Sequence, residues 1–106
     1  MRVLLTGASS FTGCWFAESL VRGGHDVVCT MTRGRTHDYD DGVRWSRVSR
    51  VDGSGASIEW GCRFGDEKFL GLVGSGGFDV IIDGAPAASF AAYTRSVAMG
   101  GRVVIY

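Results

Sequence analysis

The sequence predicts an α/β domain built on an open parallel sheet of about five strands in the order 3-2-1-4-5, with helices on both faces. Three observations predict it. Short continuous apolar runs alternate with stretches whose apolar residues recur every three or four positions, as strands and helices do in such a sheet. The runs are apolar on both faces rather than alternating, which suits strands covered on both sides. Glycines punctuate nearly every junction.

Arg2–Thr6 is the first such run, and Gly7 stops it. From Phe11 to Arg22 the apolar positions Phe11, Trp15, Phe16, Ala17, Leu20 and Val21 form a helical stripe, which Gly23 and Gly24 end. Asp26–Met31 is apolar and β-branched again, completing one βαβ unit whose connection should be right-handed. Thr32–Ser57 holds four glycines, many Arg, Asp and Ser, and only Val43, Trp45, Val48 and Val51 as apolar anchors. It reads as mostly loop, with room for a short strand near Val43–Val48 and another strand near Ile58–Phe64. Asp66 can cap a short helix carrying Phe69, Leu70, Leu72 and Val73. Phe78–Asp83 is the clearest buried strand, Pro86–Met99 reads as a helix stopped by Gly100 and Gly101, and Arg102–Tyr106 is the final strand. An apolar terminal strand exposes an edge, so a second copy of the chain or another partner is expected to cover it.

With 106 residues, 45% of them hydrophobic, one domain fits and two independent domains do not. Cys14, Cys29 and Cys62 cannot all pair and show no Cys-x-x-Cys spacing, and no signal peptide or 18-residue apolar run is present. The expectation is a reduced cytoplasmic protein outside the membrane. Eleven basic residues balance eleven acidic ones, which argues against a dedicated nucleic-acid binder. Arg44, Arg47 and Arg50 around Trp45 could form a basic aromatic face, but the nearby Asp38, Asp40 and Asp41 favour a solvated surface with internal ion pairs. His37 with those aspartates lacks any recognisable metal-ligand spacing, so no metal is expected.

The richest stretch is Thr6-Gly7-Ala8-Ser9-Ser10-Phe11-Thr12-Gly13, which leaves a strand and opens a helix. Gly7 allows the tight turn, Gly13 lets the helix pack close to the sheet, and the N–H groups of the first helical turn can bind a pyrophosphate. A ligand-free turn would use the same glycines, but spacing, strand and helix together favour a dinucleotide. Ser10 stands at the middle glycine position, where its side chain either crowds the pyrophosphate or donates a hydrogen bond to it.

On this motif the chain resembles the extended and atypical short-chain dehydrogenase/reductases, the NAD-dependent epimerase/dehydratase group, whose first turn reads TGxxGxxG and whose fold is Rossmann-like. Gly24-His25-Asp26-Val27, Arg33-Gly34-Arg35-Thr36, Gly65-Asp66 and Gly84-Ala85 extend the resemblance over nearly the whole chain. It implies cofactor contacts from Gly7, Ser9, Ser10, Phe11, Thr12 and Gly13. The family's acidic ribose-binding residue is missing at Thr30–Arg33. Arg33 and Arg35 stand there instead, so the resemblance favours NADP over NAD through charge-assisted bonds to a 2′-phosphate. It places Asp66 by the adenine, although a helix N-cap explains that residue equally. It also places Gly84 and Ala85 by the nicotinamide ribose, where a plain strand-to-helix turn explains them too. The family's catalytic Tyr-x-x-x-Lys pair is absent, because Lys68, the one lysine, follows Phe64 at that spacing. Two readings follow: the cofactor half of an oxidoreductase or epimerase, or a non-catalytic module that senses dinucleotide or docks through its last strand. Asp83, at the carboxyl end of a buried strand, is the leading candidate for a substrate-facing carboxylate. Cys14, in the first helical turn, reads as a packing residue rather than a nucleophile.

Overall fold

The computed structural model describes residues 1–34, 42–62, 76–84 and 97–106. Five strands, β1 (Arg2–Leu5), β2 (Asp26–Thr30), β3 (Ser57–Glu59), β4 (Phe78–Asp83) and β5 (Val97–Ile105), form one sheet in the order β3-β2-β1-β4-β5. Every pairing is parallel, with Val3 beside both Val27 and Val80 and Leu5 beside both Cys29 and Ile82. The order and direction expected from the alternating pattern are those observed.

Strand parity divides the apolar residues between two faces. Val3, Leu5, Val27, Cys29 and Ile82 meet helix α1 (Phe11–Arg22) through Cys14 and Ala17, and helix α2 (Gly42–Asp52) through Val48 and Val51. Leu4, Phe78 and Ile81 lie on the opposite face with Cys62, all of them buried. The helices expected after Asp66 and over 86–96 fall outside the described residues, as do Arg35, Asp66 and Ala85.

Two expectations need correction. The segment read as loop, with a possible strand over Val43–Val48, is instead the eleven-residue helix α2. Val43 and Trp45 suggest a two-residue alternation but are exposed, whereas Val48 and Val51, one turn apart, are fully buried against the α1 side of the core. Burial of that narrow stripe outweighs the weak helical pattern of the rest. The final strand also begins at Val97 rather than Arg102, so 97–99 is strand and not the end of a helix. Val97 pairs with Phe78 and Arg102 with Val80, which leaves extra residues on the β5 side of an irregular register. Gly100, at φ +78°, makes that bulge possible in a conformation that side-chain-bearing residues rarely adopt. The two glycines therefore bend a strand instead of stopping a helix. The strand expected at Ile58 is present but short, ending at Glu59.

Candidate functional site

β1 lies between β2 and β4, so the strand order reverses beside it, and the carboxyl ends of β1 and β4 mark the switch point at which ligands bind in open α/β sheets. The loop Gly7–Gly13 forms one side of it. Gly7 turns the chain out of β1 at φ +73°. Ser10 then caps α1: its backbone is extended, its Oγ accepts from the Gly13 N–H at 3.0 Å and donates to the Gly7 carbonyl at 2.7 Å. The hydroxyl at the middle glycine position is thus turned inward and closes the loop on itself. The exposed Phe11 and Thr12 follow, and among the described residues no acceptor takes their N–H groups. The first turn carries no acidic side chain, which leaves the positive end of the helix dipole uncompensated.

The opposite side is the end of β4. The Thr6 hydroxyl donates to Asp83 Oδ1 at 2.7 Å and accepts from the Gly84 N–H at 3.0 Å, tying β1 to β4 there. Asp83 is wholly buried, and so the carboxylate put forward as substrate-facing points into the sheet. Gly84 remains partly exposed beside the loop.

From β5, Tyr106 reaches across to both sides. Its ring packs edge-on against Phe16 with centroids 5.2 Å apart, and its Oη donates to the Thr6 carbonyl at 3.0 Å with the Gly7 carbonyl at 3.3 Å. Burial raises the phenol's pKa, while a hydrogen bond with the Ser10 side chain acts in the opposite direction. Sequence reasoning missed Thr6 and Tyr106 as site residues. The available signal was parity, because Tyr106 continues the Arg102–Val104 face of β5, which lies beside the α1-facing Val80 and Ile82.

Arg33 lies exposed just beyond β2, its carbonyl accepting from the Gly61 N–H at 2.8 Å. On the outer side of the helices, Phe11, Cys14, Trp15, Val43, Arg47 and Arg50 line an open cleft of about 510 Å³. The Arg47 guanidinium stands 5.9 Å from the centre of the Phe11 ring, and Arg50 bonds Glu18 at 2.9 Å. Arg50 thus takes its acidic partner from α1, whereas Asp38, Asp40 and Asp41 fall outside the described residues. Cys14 is buried, and burial together with the Glu18 carboxylate raises its pKa, while Arg50 and Arg47 act in the opposite direction. His25 sits beyond the far end of α1 from Cys14, and no Cys–His pair forms between them. Among the described residues no group of three or more His, Cys, Asp and Glu could hold a metal, and no helix is long and apolar enough to cross a membrane.

Comparison with solved structures matches this arrangement to larger proteins. The crystal structure of AibC superimposes with a TM-score of 0.70 over 97% of this chain, at 26% sequence identity. The fold is Rossmann-like. Mycobacterial Rv1454c, solved in complex with NADPH, also superimposes with a TM-score of 0.70, over 98% of the chain at 19% identity, a likeness of fold alone. This Rossmann-like unit spans 26% and 29% of those two chains. No family model matches the sequence, and no curated protein matches it.

Proposed function

We propose that this chain is an NADP(H)-binding Rossmann-like domain, the cofactor-holding portion of an oxidoreductase or epimerase similar to the NAD-dependent epimerase/dehydratase group. The observation that carries this reading is that Phe11 and Thr12, exposed residues in the first turn of α1 beside the carboxyl ends of β1 and β4, have no acceptor for their N–H groups among the described residues. Two adjacent donors at a helix N-terminus suit a pyrophosphate, and the Ser10 hydroxyl is engaged with the Gly7 carbonyl and the Gly13 N–H. Arg33, exposed past the end of β2 in a stretch, Thr30–Arg33, without an acidic residue, supplies charge for a 2′-phosphate, and the NADPH in the Rv1454c structure supports the same preference. When bound, the nicotinamide supplies hydride transfer. With Asp83 buried, this reading takes the catalytic groups from outside the chain.

Titration with NADPH and with NADH, followed by energy transfer from Trp15, Trp45 and Trp60, tests the proposal. NADPH is expected to bind at least tenfold more tightly, and Arg33→Ala to remove most of that preference. Absence of saturable binding by either nucleotide overturns it. The edge of β5 favours a second element of the proposal: Val104 and Ile105 are 46% and 56% exposed, which suits coverage by a second copy or a partner chain. Light scattering at micromolar concentration checks this, and a monomer there counts against the second copy.

A further inference from the structure

The glycines that make the sequence look like a dinucleotide fingerprint have a second explanation, internal to the protein. A Cβ added at Gly84 would collide with Tyr106 Cζ and Oη, and its three nearest atoms all belong to that one side chain. At Gly7 it would come within 3.0 Å of Tyr106 Oη, and at Gly13 within 2.6 Å, where the Gly7 carbonyl oxygen is nearer still. Gly7 just beyond β1, Gly13 in α1 and Gly84 just beyond β4 therefore converge on one phenol. The same hydroxyl reaches the Thr6 and Gly7 carbonyls, and the Gly7 carbonyl also accepts from the Ser10 N–H and from Ser10 Oγ. Gly7 is thus the hub of the loop, and Tyr106, from outside the β1–α1 segment, lies against that hub and against Gly13 and Gly84 together.

We infer that Tyr106 is the positioning residue of the Gly7–Gly13 loop, holding the Thr6 and Gly7 carbonyls from the sheet side while filling the hollow that Gly84 leaves. This rests on the dinucleotide reading and deepens it. The phenol does not touch the reacting atoms. It sets the path of the backbone so that Phe11 and Thr12 keep their N–H groups toward solvent. It also couples β5 to the loop: a displacement at the end of that strand moves the pyrophosphate donors.

Three substitutions separate the effects. Tyr106→Phe keeps the ring and removes the hydroxyl, and it is expected to weaken NADPH about fivefold, the cost of one hydrogen bond. Gly84→Ala keeps the hydroxyl and forces the ring aside, with an expected loss of at least tenfold. Tyr106→Leu empties the hollow, so adding Gly84→Ala on top of it should cost less than twofold. Additive losses in this cycle overturn the inference, as does a Tyr106→Phe protein whose melting temperature falls while its NADPH affinity stays within twofold of the parent. The amide NMR resonances of Phe11 and Thr12 provide a reading without nucleotide. They are expected to move in Tyr106→Phe, and unchanged resonances overturn the positioning role even if the parent protein binds neither NADPH nor NADH. Failure of the parent to bind with shifted resonances in Tyr106→Phe overturns the dinucleotide reading alone.

Discussion

β1 is the central strand of the sheet and β5 lies at the end of the strand order, and the two live in opposite surroundings. β1 lies between β2 and β4, and Val3, Leu4 and Leu5 are at most 1% exposed. β5 has β4 on one side and, among the described residues, no strand on the other. Its Met99 is fully exposed, and Val104 and Ile105 about half so. Both segments are apolar, so hydrophobicity alone does not place a strand inside. The number of neighbours does, because each parallel partner and each covering helix removes a separate part of the side chain from water. The bulge at Gly100 fits the same difference, since an edge strand tolerates an irregular ladder that a central one does not.

The largest expected effect comes from truncating the two strands in parallel. Leu4→Ala should destabilise the protein by about 2–5 kcal/mol, as cavity-forming substitutions in cores do, whereas Val104→Ala should cost less than about 1 kcal/mol. Urea unfolding of both variants checks the contrast, and equal losses would show that β5 is covered in solution. Next in size is the joint at the end of β1. Thr6→Val removes the donor to buried Asp83 and the acceptor of the Gly84 N–H, with an expected cost of about 1.5–3 kcal/mol. Its thermal unfolding would resemble that of an edge variant if the joint contributed nothing. The smallest effect, over the range from pH 8 to 10, concerns pH. Burial pushes the Cys29 thiol from an ordinary value of 9.0 to about 12, so the folded chain keeps a proton that the unfolded chain releases above pH 9. Stability should therefore fall as pH rises through the 9 to 12 window, by up to about 1.4 kcal/mol per unit, and Cys29→Ala should flatten that limb. Urea midpoints at pH 8, 9 and 10 measure the slope.

Much of the fold was legible because its signals are local. Runs such as Phe78–Asp83 bounded by glycines, and the stripe from Phe11 to Val21, each specify an element within a few residues, and their alternation allows few sheet orders. The helix α2 was not legible, since its buried stripe consists of Val48 and Val51 alone and acquires its meaning only once α1 lies against it. The start of β5 was hidden for a similar reason, as two glycines that stop a helix in one context permit a bulge in another. At the site, the motif from Thr6 to Gly13 announced the loop and its helix. It did not reveal which way Ser10 and Asp83 would turn, because each is held by a partner that the local sequence does not identify: Gly7 and Gly13 backbone for Ser10, and the Thr6 hydroxyl for Asp83.

Chain order alone thus determined the sheet, its direction and the place of the loop, through periodicity and turn chemistry that act between near neighbours. Tertiary structure alone decided that Asp83 is a joint between strands, that α2 is a helix, and that a tyrosine one hundred residues from Thr6 closes the loop from below. Those outcomes depend on burial and hydrogen bonds between segments distant in sequence, which acquire an energy only when the sheet brings the segments together.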